Sequence, residues 1–212
     1  MEGSASAPTH PSIELEPPEW QPRVLWVGAR QLCGVASFFF ISFVFAYFYL
    51  RSLDSNNSWK IGKVSPSVGW GVAIVVVLIV SALALRIAAT NPTRTVSLGA
   101  LAVVLVLLSI VLQVIQWTTL AFGPASGGYA SVYVGWTAFY AVFTLPCAFW
   151  IETQVATAWR RSREQVRGTE PASPADVYTS PEVIKAGLDA CSFFWSFYVF
   201  TGVVLFVCLY LL

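Results

Sequence analysis

Long apolar runs alternate with short polar breaks along the chain, and that alternation predicts five helices. The runs cover 25–50, 68–89, 96–122, 129–158 and 186–212. Each is at least as long as the ~20 residues a helix needs to cross a bilayer. Hydrocarbon offers no partner for the N–H and C=O groups of an open strand, so a helix is the form that satisfies its own backbone there. A membrane barrel would instead show short alternating segments, and these runs are continuous. The breaks carry turn chemistry. They are Asp54 to Pro66, Asn91-Pro92-Thr93-Arg94, Gly123 to Gly128, and a loop over 159–185 with Arg160, Arg161, Arg163 and Arg167 followed by three prolines. Pro146 is placed to kink the fourth helix. Residues 1–24 form a polar lead-in with five prolines and four glutamates, too poor in apolar surface to fold alone. It lacks the basic-then-apolar order of a secretory signal. The expected architecture is an all-α, polytopic membrane protein, a bundle of five transmembrane helices.

Composition narrows the chemistry. Of 212 residues, 57% are hydrophobic and 11% charged, against roughly 25% charged in soluble domains. A net charge of +1 creates no field that would attract nucleic acid. One His, one Met and four Cys are too few to ligate haem, copper or zinc in a core. No nucleophile–base pair is visible, so neither a catalytic residue nor a directly bound cofactor is expected. Cys33, Cys147, Cys191 and Cys208 fall inside the runs without Cys-x-x-Cys spacing and read as packing residues. His10 reads as solvated.

Charge placement orients the chain. The side shared by the N-terminus and the second and fourth loops collects nine Lys and Arg, and the other side three. The bias puts the N-terminus in the cytoplasm (or matrix) and the C-terminus outside.

Charges within spans are expensive, and each is a functional candidate. Arg30, Arg86, Glu152 and Asp189 should lie at similar depth toward the cytoplasmic side. They read either as ion pairs that fix helix packing or as a proton-collecting or lipid-headgroup site. Gln113 and Gln116, three apart on one helix face, are candidates for interhelical hydrogen bonds. Aromatic residues are dense, with 15 Phe, 9 Trp and 8 Tyr. Some belong to interfacial belts. Phe39, Phe43, Tyr47, Trp117, Tyr140, Trp195 and Phe197 are candidates for contact with lipid or a partner subunit, alongside ordinary helix packing.

Four segments, taken in order, carry a family resemblance. The Phe-rich run Ala36 to Tyr49 comes first. Leu112-Gln113-Val114-Ile115-Gln116-Trp117 follows and resembles a Q-x-x-E-[WY] element. Gly128 to Tyr133, with Thr137 to Tyr140, resembles a Y-G-S-x-F…T-G-F-H segment. Gly187 to Phe197 resembles an acidic residue followed by a [WY]-Y-W-H-F run. Together they resemble subunit III of the haem–copper terminal oxidases, in its short five-helix form. The departures are specific. Ser37 stands where the family has an intramembrane Glu, and Gln116 replaces the Glu of Q-x-x-E. Tyr140 and Phe143 stand in place of two His, Ser196 in place of a His, and Val199 in place of an Asp. Asp189 alone keeps its acidic group. Ser and Gln still hydrogen-bond but do not titrate near neutrality, so roles that need protonation are lost while shape is retained.

The resemblance implies an accessory subunit that binds no redox cofactor and packs on the catalytic subunit I, with subunit II nearby. It implies phospholipid held in a cleft, and haem and copper in the partner subunits. The location would be a bacterial plasma membrane or the inner mitochondrial membrane. A subunit III-like component of a nitric-oxide-reducing or other respiratory complex is the second reading. A small transporter or channel is the third, although such proteins place polar groups at the midplane on interrupted helices.

Overall fold

The computed structural model describes residues 20–55, 59–60, 65–167 and 180–212. Five helices are long and apolar enough to cross a membrane, and among the described residues there is no strand. They are α1 (Gln21–Ser52), α2 (Val68–Thr90), α3 (Thr95–Thr118), α4 (Gly128–Arg167) and α5 (Pro181–Phe206), the last continued by a π-helical turn over Val207–Leu211. Even α2, the shortest at 23 residues, is about 34 Å long at 1.5 Å per residue, enough for ~30 Å of hydrocarbon.

The ends differ from the apolar runs in ways that have local causes. Residues 21–24 belong to α1 rather than to the polar lead-in, because Pro22 sits in the first turn, where its missing N–H has no intrahelical partner to lose. The rest of the lead-in, His10 included, lies outside the described residues, as do 168–179 of the loop expected over 159–185. The start of that loop is helical, since α4 runs on to Arg167. Apolarity marks where hydrocarbon ends, but Arg, Glu and Gln are good helix formers, and Arg161 pairs with Glu164 one turn on at 3.4 Å. The loop's last residues are helical too. Ser180 accepts a hydrogen bond from the Val183 N–H at 3.3 Å, and Pro181 and Glu182 occupy the first turn of α5. Cap, proline and acid all favour a helix start there. Conversely, α3 stops at Thr118, four residues short of its apolar run. Pro146 lies inside α4, which continues as α-helix on both sides of it. The proline removes the bond to the Val142 carbonyl and crowds that oxygen with its ring, and both residues lie on the outward face of the helix.

Chain order alternates helix direction. One end of the bundle holds the starts of α1, α3 and α5 and the ends of α2 and α4; the other holds their opposite termini. α2 and α3 form a hairpin. α5 packs against α1, α2 and α4, while α4 also packs against α3 and α1. Two close approaches depend on glycine. A Cβ on Gly99 of α3 would come within 2.6 Å of Val155 Cγ2 on α4, and one on Gly202 of α5 would collide with the Tyr140 hydroxyl. Small residues at crossings let backbones approach closely, which is how apolar helices gain packing energy inside lipid.

Candidate functional site

The buried polar groups were expected to form the site, and they form two constellations. The first lies near the end of the bundle where α3 stops. Gln113 Nε2 donates to Gln116 Oε1 at 3.3 Å. Gln116, fully buried, donates through Nε2 to the Tyr210 hydroxyl, and Tyr210 shares a 2.8 Å hydrogen bond with the Tyr133 hydroxyl. The sequence placed the two glutamines on one face, and the structure brings them together. The interhelical bond runs through Tyr210, which nothing in the spacing of the chain singles out. An aromatic cap closes this end. The Tyr129 N–H donates to the Trp59 carbonyl at 3.0 Å, Trp59 stands edge-on to Tyr47 and Tyr129, and Lys60 Nζ lies 4.6 Å from the Tyr129 ring centroid, within cation–π range.

The second constellation joins α4 to α5 mid-span. Tyr140 OH donates to the Tyr198 carbonyl at 3.0 Å, and Tyr198 OH donates to the Tyr140 carbonyl at 2.6 Å. Their rings stack with centroids 4.5 Å apart and planes 24° apart. One turn further along α4, Thr144 Oγ1 donates to the Tyr140 carbonyl at 2.8 Å. Nearby, Trp195 Nε1 donates to Ser81 Oγ of α2 at 3.0 Å. Each donor is in a dry environment where an unmade hydrogen bond is costly.

Positions where the resemblance expects titratable groups are therefore filled by side chains satisfied locally. Ser37 Oγ donates to the Cys33 carbonyl at 2.7 Å, and Ser196 Oγ to the Ser192 carbonyl at 2.7 Å. Gln116 and Tyr140 are engaged as described. Phe143 packs on Phe139, with centroids 4.7 Å apart, and Val199 is buried. Among the described residues the buried polar side chains are hydroxyls and amides, with no carboxylate, imidazole or amine. Such groups can hold helices in register; they are not proton carriers near neutral pH.

The charged candidates are not brought together. Arg30, Arg86 and Glu152 are exposed, and Asp189 is half-buried. Among the described residues the ion pair within 4 Å is Arg161–Glu164, which includes none of the four. Arg30 instead lies over the Trp26 ring at 5.8 Å. Within this chain the expected network does not form. The physical reason is facing: Arg30, Arg86 and Glu152 are exposed rather than turned into the bundle.

The aromatic candidates divide by burial. Tyr47, Tyr140 and Trp195 are interior, which corrects the expectation of lipid or subunit contact for these three. Tyr140 and Trp195 place their polar tips on partners inside the bundle, and the Tyr47 hydroxyl accepts from the exposed Arg51 at 3.4 Å. Trp117 is half-buried and donates to Thr137 Oγ1 at 3.0 Å. Phe43 is half-buried and stacks on Trp136. Phe39 is exposed. Phe197 helps line an apolar groove of about 180 Å³ between α1 and α5, together with Ser37, Phe40 and Phe200. The most outward aromatic side chain, Phe38, is 82% exposed, and the sequence did not separate it from its neighbours; Phe149 and Phe45, which stacks on Tyr49, are exposed too.

Among the described residues no three His, Cys, Asp or Glu side chains gather to hold a metal ion. Cys33 is half-buried, and Cys147, Cys191 and Cys208 are buried, all as free thiols. Comparison with protein-family models finds none that matches the chain, and comparison with curated proteins likewise finds no match.

Proposed function

We propose that the chain is an accessory membrane subunit, similar to subunit III, of a haem–copper respiratory oxidase, with its N-terminus on the cytoplasmic (or matrix) side. Haem and copper would reside in the partner subunits, subunit I and subunit II, and the membrane would be a bacterial plasma membrane or its mitochondrial counterpart. The observation that carries the reading is the interior at the resemblance positions. Gln116 and Tyr140 occupy sites of family carboxylate and imidazole, and each bridges two helices by hydrogen bonds. That arrangement supports a role in shape. The subunit would cover a flank of its catalytic partner, exclude water and hold lipid, and it would neither collect nor relay protons through those side chains. The outward aromatic face of α1, with Phe38, Ile41 and Phe45, supports burial against another apolar surface.

The neutral residues at these positions also favour a second host, a nitric-oxide-reducing or other respiratory complex. One experiment addresses both. The chain is tagged and purified from native membranes in mild detergent, and a reduced-minus-oxidised visible spectrum is taken of the eluate. A stoichiometric haem signal is expected, and its band positions distinguish the hosts. A haem-free, monodisperse protein, under conditions that keep known oxidase complexes intact, would overturn the reading in favour of a small transporter.

A further inference from the structure

The bundle end that holds the starts of α3 and α5 and the descending end of α4 carries an open cavity of about 320 Å³, within the size range of small-ligand sites. Its wall is amphiphilic. Ile184 and Leu188 of α5 supply an apolar side, and Arg161 of α4 and Lys185 of α5 supply two cations. The cations lack sufficient counter-charge. Arg161 reaches Glu164 with Nη1 only, at 3.4 Å, while its Nε is buried without any hydrogen-bond partner. A buried guanidinium N–H with no acceptor is expensive, and Arg161 lines the cavity, so an acceptor bound beside it would be stabilising. Among the described residues no carboxylate lies within ion-pair distance of Lys185, although Glu182 and Asp189 are one turn away on either side. Thr95 and Ser162 also line the cavity, but their hydroxyls donate to backbone carbonyls, which leaves anion binding to the two cations. The positive ends of α3 and α5, at Thr95 and Pro181, open onto the same space and add a favourable potential.

We propose that this cavity binds a phosphate-bearing anion, held by Arg161 and Lys185 with its apolar portion against Ile184 and Leu188. Arginine presents a planar fork suited to phosphate and lysine a point charge. The shared chemistry is a phosphate mono- or diester. Its source is either an acidic phospholipid headgroup or a soluble phosphate compound. The proposal does not depend on the identity of the host complex.

The test uses the full chain, with whatever partners co-purify, in micelles of a phosphate-free maltoside detergent. Thermal unfolding is followed as phosphatidylglycerol, inorganic phosphate or glycerol phosphate is added, and retained lipid is read by native mass spectrometry. A midpoint that rises with phosphatidylglycerol but not with the soluble phosphates identifies a headgroup; a rise with the soluble phosphates as well identifies a free ligand. Arg161→Gln combined with Lys185→Gln should weaken binding about tenfold or more, as expected for losing charge-assisted hydrogen bonds. Ser162→Phe, which obstructs the cavity and removes no charge, should do the same. Arg160→Gln, an exposed cation on the same helix, should leave binding unchanged. No stabilisation by any of the three additives overturns the proposal. So does equal loss in the Arg160 variant, which would indicate diffuse surface attraction. Should the double variant fail to fold, unimpaired binding by the Ser162 variant overturns it alone.

Discussion

Removing the Tyr198 hydroxyl and removing the whole ring should have very different costs, and the geometry says by how much. In Tyr198→Phe the ring keeps its stacking on Tyr140, centroid to centroid 4.5 Å, and on Trp195 at 5.5 Å. The hydrogen bond to the Tyr140 carbonyl is lost, but that oxygen still accepts from Thr144 Oγ1 at 2.8 Å, so no buried acceptor is orphaned. Interhelical hydrogen bonds within membranes average ~0.6 kcal/mol, and a typical protein hydrogen bond contributes about 1 kcal/mol. The expected loss is therefore about 0.5–1.5 kcal/mol. In Tyr198→Ala the ring vanishes from the contact between α4 and α5, where it also meets Phe40 edge-on at 5.7 Å. Lipid tails are as apolar as the side chain, so little transfer energy is at stake. The cost is lost dispersion and an unfilled hole of about 100 Å³, which at about 24 cal/mol per Å³ comes to about 2–3 kcal/mol. Reversible unfolding in mixed micelles, titrated with a denaturing detergent and followed by tryptophan fluorescence, measures both. If Phe proves as destabilising as Ala, the hydroxyl carries the contact and the packing argument fails. If Ala costs less than about 1 kcal/mol, the two helices do not close on this pair at all.

Other outcomes follow from single contacts. Gly99→Leu should destabilise by at least 1–3 kcal/mol, because Val155 already occupies the space of a Cβ at 2.6 Å; the same titration reads it, and a neutral result would mean that α3 and α4 cross elsewhere. Gln116→Leu leaves Gln113 without its partner at 3.3 Å and should cost about 1–3 kcal/mol, whereas Gln113→Leu should cost less, since it sits at the end of the hydrogen-bond chain. Trp195→Phe removes the donor to Ser81 Oγ and should cost about 1 kcal/mol, with Ser81 still donating to the Leu78 carbonyl at 2.7 Å. Glu152→Gln, at an exposed position, should change the stability of the isolated chain by less than about 0.5 kcal/mol. A larger effect there would show that its carboxylate has a partner in the bundle.

The existence and order of the helices were legible because five apolar runs of this length have one solution in hydrocarbon. Facing was not. Phe38, Phe39 and Phe40 are consecutive, and only Phe40 is buried while Phe38 is 82% exposed. A helix that is apolar all round carries little amphipathic signal to choose between them. Gln113 and Gln116 could be placed on one face by spacing, but their link to Tyr210 joins residues 94 apart in sequence. Spacing along one helix says nothing about such a partner. The reciprocal tyrosine pair was hidden for the same reason: Tyr140 and Tyr198 are 58 residues apart. The continuation of α4 past Ala158 was missed because a polarity change marks a solvent boundary, and the helix crosses it.

The placement of α1 has a consequence for synthesis. Its packing partners are α5 and, to a lesser extent, α4, the last two helices of the five to be made. Roughly 150 residues separate Ser52 from Phe206, about 8–30 s of translation at ~5–20 residues per second. Until α5 is made, α1 rests in the lipid with Ala29, Ala36 and Phe40 of its buried face lacking their main cover. The α2–α3 hairpin can close at once, so the molecule matures from its middle outward. A chaperone or a neighbouring subunit that greets the nascent chain would meet the first helix while that face is still open.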